Sequence, residues 1–256
     1  MKCVTLQWGG NVWAVYFRNV LVWCRKMKHV VILSGAGISA ESGIPTFRAS
    51  DGLWEGHRIE DVATPEAWER NPRLVLEFYN QRRKIAMEAE PNPGHRIIAE
   101  LESEFEVSVI TQNVDDLHER AGSRHVIHLH GSLLEARSST NENLVYPLQG
   151  WEMKWGDLCE EGSPLRPNIV WFNEDVPKIE VAARIATRAD AFVIVGTSLV
   201  VYPAAGLVDF VRPGVPILVV DPKRPQMGTA SGVEFVEMAA GTGMDAARAR
   251  LRQLLG

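Results

Sequence analysis

The sequence predicts an α/β fold, a doubly wound, Rossmann-type parallel sheet that carries a smaller inserted subdomain. Three observations predict it. Apolar runs rich in β-branched residues recur at 30–33, 107–110, 126–129, 192–195 and 217–220, and they read as strands buried on both faces. Between them lie stretches of helical period at 65–70, 72–87, 93–101, 115–121 and 203–211, four of which open on proline, a residue favoured at the first helical position. The alternation breaks at 137–167, where Gly, Pro, Trp and charges scatter without period. That stretch is the expected subdomain, set into a main domain of 27–256.

Composition narrows the function classes. A chain of 256 residues, 46% hydrophobic and 23% charged, can bury one large core with a smaller one attached. A net charge of −5 lacks the clustered Lys and Arg that displace counterions from nucleic acid, so no nucleic-acid partner is expected. Cys3, Cys24 and Cys159 are odd in number and widely spaced, which argues for reduced thiols and a cytoplasmic protein. Residues 1–26 crowd Trp8, Trp13, Tyr16, Phe17 and Trp23 around Arg18. The run is too broken to span a bilayer and lacks the small residues of a secretory cleavage site. No membrane partner is expected, and 1–26 is read as a start-site artefact or an accessory arm.

The first strand leads into Gly35-Ala36-Gly37-Ile38-Ser39-Ala40, which fits the GxGxxG/A dinucleotide fingerprint at a strand-to-helix junction. Glycines let the backbone approach a pyrophosphate, and a helix N-terminus offers it unpaired N–H groups. A tight turn of this kind is also ordinary packing. The acidic residue that closes a second strand about 20 positions on in dehydrogenases is missing, since Glu60 and Asp61 follow no strand.

The flanking residues carry more. The run from Gly35 through Ala40, Glu41, Ser42, Gly43, Ile44, Pro45 and Thr46 to Phe47 and Arg48 resembles the first signature of the sirtuin family. Thr111-Gln112-Asn113-Val114-Asp115, His128-Leu129-His130-Gly131, Arg166-Pro167-Asn168-Ile169-Val170-Trp171-Phe172 and Gly196-Thr197-Ser198-Leu199 resemble the others, in order. The resemblance implies an NAD-dependent protein-lysine deacylase that transfers the acyl group to ADP-ribose and releases nicotinamide. It implies His130 as general base on a ribose hydroxyl, with Asn113 and Asp115 at the nicotinamide ribose and its carboxamide. Gln112 accompanies them. Phe47, Arg48 and Trp54 serve the cofactor, as do Gly196, Thr197, Ser198, Asp221 at the adenosine ribose and Ala240 at the adenine edge. Acyl-lysine proteins are the implied partners, laid between 170–174 and 199–202, with Val170, Phe172, Glu174 and Val201 in contact. Without the resemblance, Asn113 and Asp115 read as turn formers, His130 as a structural histidine and Arg48 as a solvated charge.

Two departures or details refine the expectation. Sirtuins commonly hold a structural zinc on two CxxC pairs, and zinc of that kind needs four N or S ligands. Here Arg137-Ser138-Ser139-Thr140 replaces one pair, and Cys159 is what remains of the other. No metal is expected, and Leu144, Tyr146, Leu148, Trp151 and Trp155 are the candidates for an apolar core in its place. Asn173 also stands where glycine is usual. Tyr79 and Arg82, three apart on the 72–87 helix, share a face. They resemble the YxxR pair of sirtuins that remove succinyl and malonyl groups, with Ala63 as the small residue making room. Arg83 is equally within reach of Tyr79. The alternatives are a mono-ADP-ribosyltransferase and a catalytically silent NAD-binding module.

Overall fold

In the computed structural model the described residues are 5–8, 12–17, 20–25, 27–46, 53–54, 56–225 and 232–256. Phe47 and Arg48 lie outside them, and Trp54 is described in its backbone pairing alone. In chain order the elements begin with β1 (Thr5–Trp8), β2 (Val12–Phe17) and β3 (Val20–Arg25), an antiparallel meander that forms its own sheet. There follow β4 (His29–Ser34), β5 (Leu53–Trp54), β6 (His57–Arg58), α1 (Ile59–Val62), α2 (Pro65–Arg70), α3 (Pro72–Glu88) and α4 (Pro93–Leu101). Next come β7 (Glu106–Thr111), α5 (Leu117–Ala121), β8 (Val126–His128), β9 (Gly131–Ser138), β10 (Val145–Pro147) and β11 (Leu165–Ile169). The chain closes with α6 (Ile179–Ala186), β12 (Ala191–Val195), β13 (Ile217–Val220), β14 (Val233–Val236) and α7 (Ala240–Leu255).

Six strands pair in parallel in the order β14-β13-β12-β4-β7-β8. Alternation of side chains across each strand divides the core in two. Val30 and Ile32 face one cluster with Ile98 of α4 and Met244 and Leu251 of α7. Val31 and Leu33 face the other, with Ala182 and Ala186 of α6. Each such fully buried aliphatic side chain contributes about 1.5–3 kcal/mol, so helices must cover both faces of the sheet. Three helices start where a side-chain cap meets a proline. Thr64 Oγ1 accepts from Ala67 N at 3.1 Å, Asn71 Oδ1 from Leu74 N at 3.2 Å and Asn92 Oδ1 from Gly94 N at 2.9 Å, each satisfying an N–H that the helix leaves unpaired.

Some elements differ from the periodicity. The 203–211 stretch forms a 3₁₀ helix, Ala204–Phe210, because Gly206 at its centre weakens α-helical bonding and i→i+3 bonds are used instead. Helix α5 begins at Leu117 rather than 115, since the Asp115 carboxylate accepts from Leu117 N at 3.2 Å. Strand β8 ends at His128, after which Leu129 N still donates to Thr111 O.

The inserted region is an antiparallel sheet ordered β10-β9-β11. Of the expected core residues, Leu148 packs into its core and Trp151 and Trp155 do not. Ala136 and Met153 are buried with Leu76 of α3, and Trp68, Leu148 and Leu165 pack around them. Trp151 and Trp155 are exposed, capped by Lys84 at 5.6 Å and Arg73 at 5.4 Å. Both tryptophans are large faces at the edge of a small module, where a cation from α3 covers what the module cannot. Polar side chains of α3 fix the insert in place. Asn80 Nδ2 donates to Met153 O at 2.9 Å while its Oδ1 accepts from Met153 N at 3.0 Å. The wholly buried Arg83 donates to Leu133 O and to Trp151 O, which sets it apart from the cleft-facing Arg82. Burial draws the Arg83 guanidinium down to about 10. Cys159 is buried with its thiol 3.4 Å from Ser138 Oγ, and among the described residues no three His, Cys, Asp or Glu side chains gather to hold a metal.

Candidate active site

The turn after β4 and the turn after β12 interlock. Gly35 N donates to Val195 O at 3.0 Å and Gly37 N to Gly196 O at 2.8 Å. A Cβ on Gly35 would stand 2.6 Å from Thr197 Cβ, and one on Gly37 2.7 Å from Gly196 Cα, while Gly196 sits at φ 61°. Two distant glycine motifs are therefore one feature, because neither turn can approach the other with side chains present. Two short 3₁₀ turns, Ala36–Ile38 and Ala40–Ser42, follow where a helix was expected.

A cleft of about 380 Å³ opens at the carboxyl ends of β4, β7 and β12, where open α/β sheets bind ligands. Gly35, Ala36, Gly37 and Ser39 line it from the first turn, and Gly196, Thr197 and Ser198 from the second. Gln112, Asn113 and Asp115 enter from the end of β7, and His130 from the link between β8 and β9. On the far wall stand Ala63, Tyr79 and Arg82, and at the mouth Val170, Phe172, Glu174 and Val201. Three expected residues are elsewhere. Ala40 is exposed. Ala240 is buried in the core as the first residue of α7, and the Asp221 carboxylate accepts from Lys223 N at 2.8 Å. Their positions follow from long-range packing that strand-end spacing does not encode.

The polar groups of the cleft hold one another. Asn113 Nδ2 donates to Ser39 Oγ at 3.0 Å, and that hydroxyl donates to Asp115 Oδ2 at 3.0 Å. Burial raises the Asp115 carboxyl above its usual range, opposed by the Leu117 N–H and the Ser39 hydroxyl. Gln112 Nε2 donates to Thr197 Oγ1 at 3.0 Å, tying β7 to the second glycine turn. His130 Nδ1 lies 3.0 Å from Gln112 O. A carbonyl only accepts, so Nδ1 carries the hydrogen and Nε2 the lone pair. Burial lowers the His130 pKa, against the Gln112 carbonyl, leaving a neutral imidazole at pH 7. Gly131 follows at φ 83°, where a Cβ would strike Asn168 O of β11. The turn that presents His130 thus demands glycine.

The mouth loop is braced from behind. Val170 N donates to His130 O at 2.9 Å and Phe172 N to Ala63 O at 3.0 Å. Glu174 turns inward, accepting from Arg166 at 2.7 Å, Arg137 at 3.1 Å and Trp171 N at 2.7 Å. Burial would raise its carboxyl, but Arg166, the Trp171 N–H and Arg137 together outweigh burial and the net shift is down. Asn173 adopts φ 71°, a left-handed conformation that asparagine tolerates better than most residues, so the turn is kept without glycine. Tyr79 is fully buried and Arg82 nearly so. The Tyr79 hydroxyl is enclosed, and burial raises its pKa against the pull of Arg82 and Trp171. Sequence reasoning passed over Trp171, which packs 6.4 Å from Tyr79 between ring centroids, and the Arg137–Arg166–Glu174 group. Arg166 and Trp171 stood within a recognised motif, but buried charges carry no periodic signal.

Interlocked glycine turns, a strand-end crevice and a neutral histidine beside buried Asn and Asp define an α/β protein of the dinucleotide-crevice class. The Sir2 family matches residues 35–203. An NAD-dependent protein deacylase of Bacteroides thetaiotaomicron is 50% identical over 234 residues, covering 90% of this chain and 98% of that one. Another from Helicobacter pylori is 51% identical over 216 residues, covering 84% and 93%. A solved complex of a Sir2 homologue with NAD aligns with a TM-score of 0.79 at 42% identity, over 90% of this chain and 91% of its own. The chain belongs to the Sir2 family.

Proposed function

We propose that this chain removes succinyl and malonyl groups from protein lysines, and acetyl groups less well. At the coarser level it is an NAD-dependent protein deacylase, as its relatives over most of its length are named. The donor set fits the cofactor, since side-chain-free backbone at Gly35 and Gly37 adjoins the Thr197 and Ser198 hydroxyls and the Asn113 amide on one wall. When bound, NAD supplies the ADP-ribosyl acceptor for the acyl group and releases nicotinamide. In this reading Asn113 and Asp115 orient the reacting ribose, and His130 takes a ribose hydroxyl proton at Nε2. Val170 and Phe172 flank the lysine stem, and the peptide adds as a strand between 170–174 and 199–202. The cytoplasm is its proposed place of action.

One observation carries the acyl preference: Tyr79 and Arg82 line the same cleft as His130, buried, with the small Ala63 beside them. A guanidinium there suits two parallel N–H bonds to a distal carboxylate, and the Tyr79 hydroxyl a third. Incubation with NAD and matched acetyl-, malonyl- and succinyl-lysine peptides, read by mass spectrometry, tests this. Faster lysine release from the acidic acyl peptides is expected. Preference for acetyl overturns the acyl assignment, and protein ADP-ribosylation without lysine release, or no turnover, overturns the deacylase reading.

A further inference from the structure

Two histidines meet the backbone of the Asn113 segment, and their surroundings differ in kind. His130 Nδ1 takes Gln112 O, whereas His128 Nδ1 takes the next carbonyl, Asn113 O, at 2.9 Å. The other nitrogen of His128, Nε2, lies 2.8 Å from Glu119 Oε1. A carbonyl oxygen and a carboxylate can only accept, so both His128 nitrogens must donate, and the ring that satisfies both is the imidazolium. Asn113 is held at two further points, its N–H by Thr111 Oγ1 at 3.0 Å and its amide by Ser39, whose hydroxyl in turn donates to the Asp115 carboxylate.

We propose that His128 is a positioning residue: as an imidazolium it clamps the Asn113 carbonyl to the Glu119 carboxylate, and loss of its proton ends activity on the alkaline side. The proposal rests on the reading of this cleft as the catalytic site. Removing either proton leaves a nitrogen lone pair facing an oxygen lone pair, which repels Asn113 O or Glu119 and loosens the residue that presents its amide to the cleft. The charged groups around the ring agree. Glu119 faces it from α5, Asp115 and Asp116 from the loop after β7, and their attraction outweighs burial, so its pKa is raised. His118 of α5, buried and neutral, also faces it. Arg120 is engaged by Asp116 at 3.8 Å and Glu90 at 3.0 Å. Paired groups whose surroundings push their titrations apart are how a site separates its acid and base limits. Here the base, His130, sets the acid limb and His128 the alkaline one.

The test uses the full chain, with Glu119→Gln and His128→Gln. Imidazole proton resonances titrated by NMR, assigned through the His128→Gln spectrum, should place the His128 midpoint above 6.5 and the His130 midpoint below it. Glu119 is partly exposed, so its replacement by Gln should spare the fold. That variant should lower the His128 midpoint and the alkaline limb of lysine deacylation together, by about one to two pH units, the scale of losing an adjacent opposite charge. Its acid limb should stay in place. His128→Gln should lose the alkaline limb and run several-fold slower throughout. A purely structural role would lower activity equally at every pH without moving a limb. A His128 midpoint at or below 6.5, or an alkaline limb unmoved in folded Glu119→Gln, overturns the proposal. Failure of the wild-type protein to turn over NAD would instead overturn the catalytic reading, with the NMR midpoints still read.

Discussion

At the scale of single residues, His130 is prepared for proton abstraction by one hydrogen bond. Gln112 O holds its Nδ1 hydrogen and burial keeps the ring neutral. His130→Ala should therefore slow acyl transfer by roughly 10²-fold or more, the scale of general-base loss. Nicotinamide exchange, whose bond breaks before the base acts, should suffer less; near-wild-type deacylation in the variant would remove His130 from the mechanism. Arg82 is tested in the opposite way, through substrate choice. Losing a charge-assisted hydrogen bond costs about 1.5–3 kcal/mol, or roughly 10- to 150-fold. Arg82→Met should raise KM for succinyl peptides by about that factor and leave acetyl peptides nearly unchanged. An equal loss on both would assign Arg82 to the fold. Motif residues such as His130, Asn113 and Arg82 were legible because their chemistry is tied to fixed neighbours in the chain. The tuning of His128 was not, since Glu119 reaches it only through the packing of α5 beside β8.

At the scale of elements, α3 is the spine between the cleft and the inserted sheet. One face carries Tyr79 and Arg82 to the cleft, while Asn80 and Arg83 grip the insert through Met153, Leu133 and Trp151. Asn80→Ala leaves both the N–H and the C=O of Met153 without their partner in the interior, and a buried polar group so stranded costs about 1–3 kcal/mol. Urea unfolding should show a loss of about 2–4 kcal/mol on that basis, and a change within 0.5 kcal/mol would mean that water replaces Asn80 easily. Because side chains and an apolar core hold this sheet, a strong chelator should leave Tm and deacylation unchanged. A chelator-dependent drop in Tm, with a stoichiometric ion in the untreated protein, would refute that. The prolines and their caps made α2, α3 and α4 readable in sequence. The strands β9, β10 and β11 were not, because short antiparallel strands of mixed polarity lack a run or a period long enough to register.

At the scale of the whole molecule, a buried pair of histidines ties stability to pH. The His95 and His118 rings meet edge to face at 4.9 Å between centroids, where α4 packs on α5. Burial lowers the His95 pKa to about 4, with Arg96 adding to the effect, and holds His118 well below its usual value. Below about pH 6.5 the unfolded chain takes up protons that the folded chain refuses, so stability falls as pH drops from 6.5 toward 4. Each histidine contributes a slope of up to about 1.4 kcal/mol per pH unit. His128, with its raised pKa, has the reverse sign: its contribution is complete below 6.5 and fades as pH rises through its folded value. Urea midpoints should fall from pH 7 to pH 5, and His95→Phe should flatten that slope; equal midpoints at both values would exclude the pair as its cause. The sequence by itself determined the parallel sheet, the glycine turn and the identity of most cleft residues, because these depend on local pattern and on chemistry repeated at fixed spacing. Only the tertiary structure decided that Gly37 needs Gly196 beside it, that Glu174 faces Arg166 rather than solvent, and that two histidines two positions apart are tuned in opposite directions. Those outcomes depend on which groups distant in the chain come to share a small, dry volume, where a single carboxylate or carbonyl outweighs any local preference.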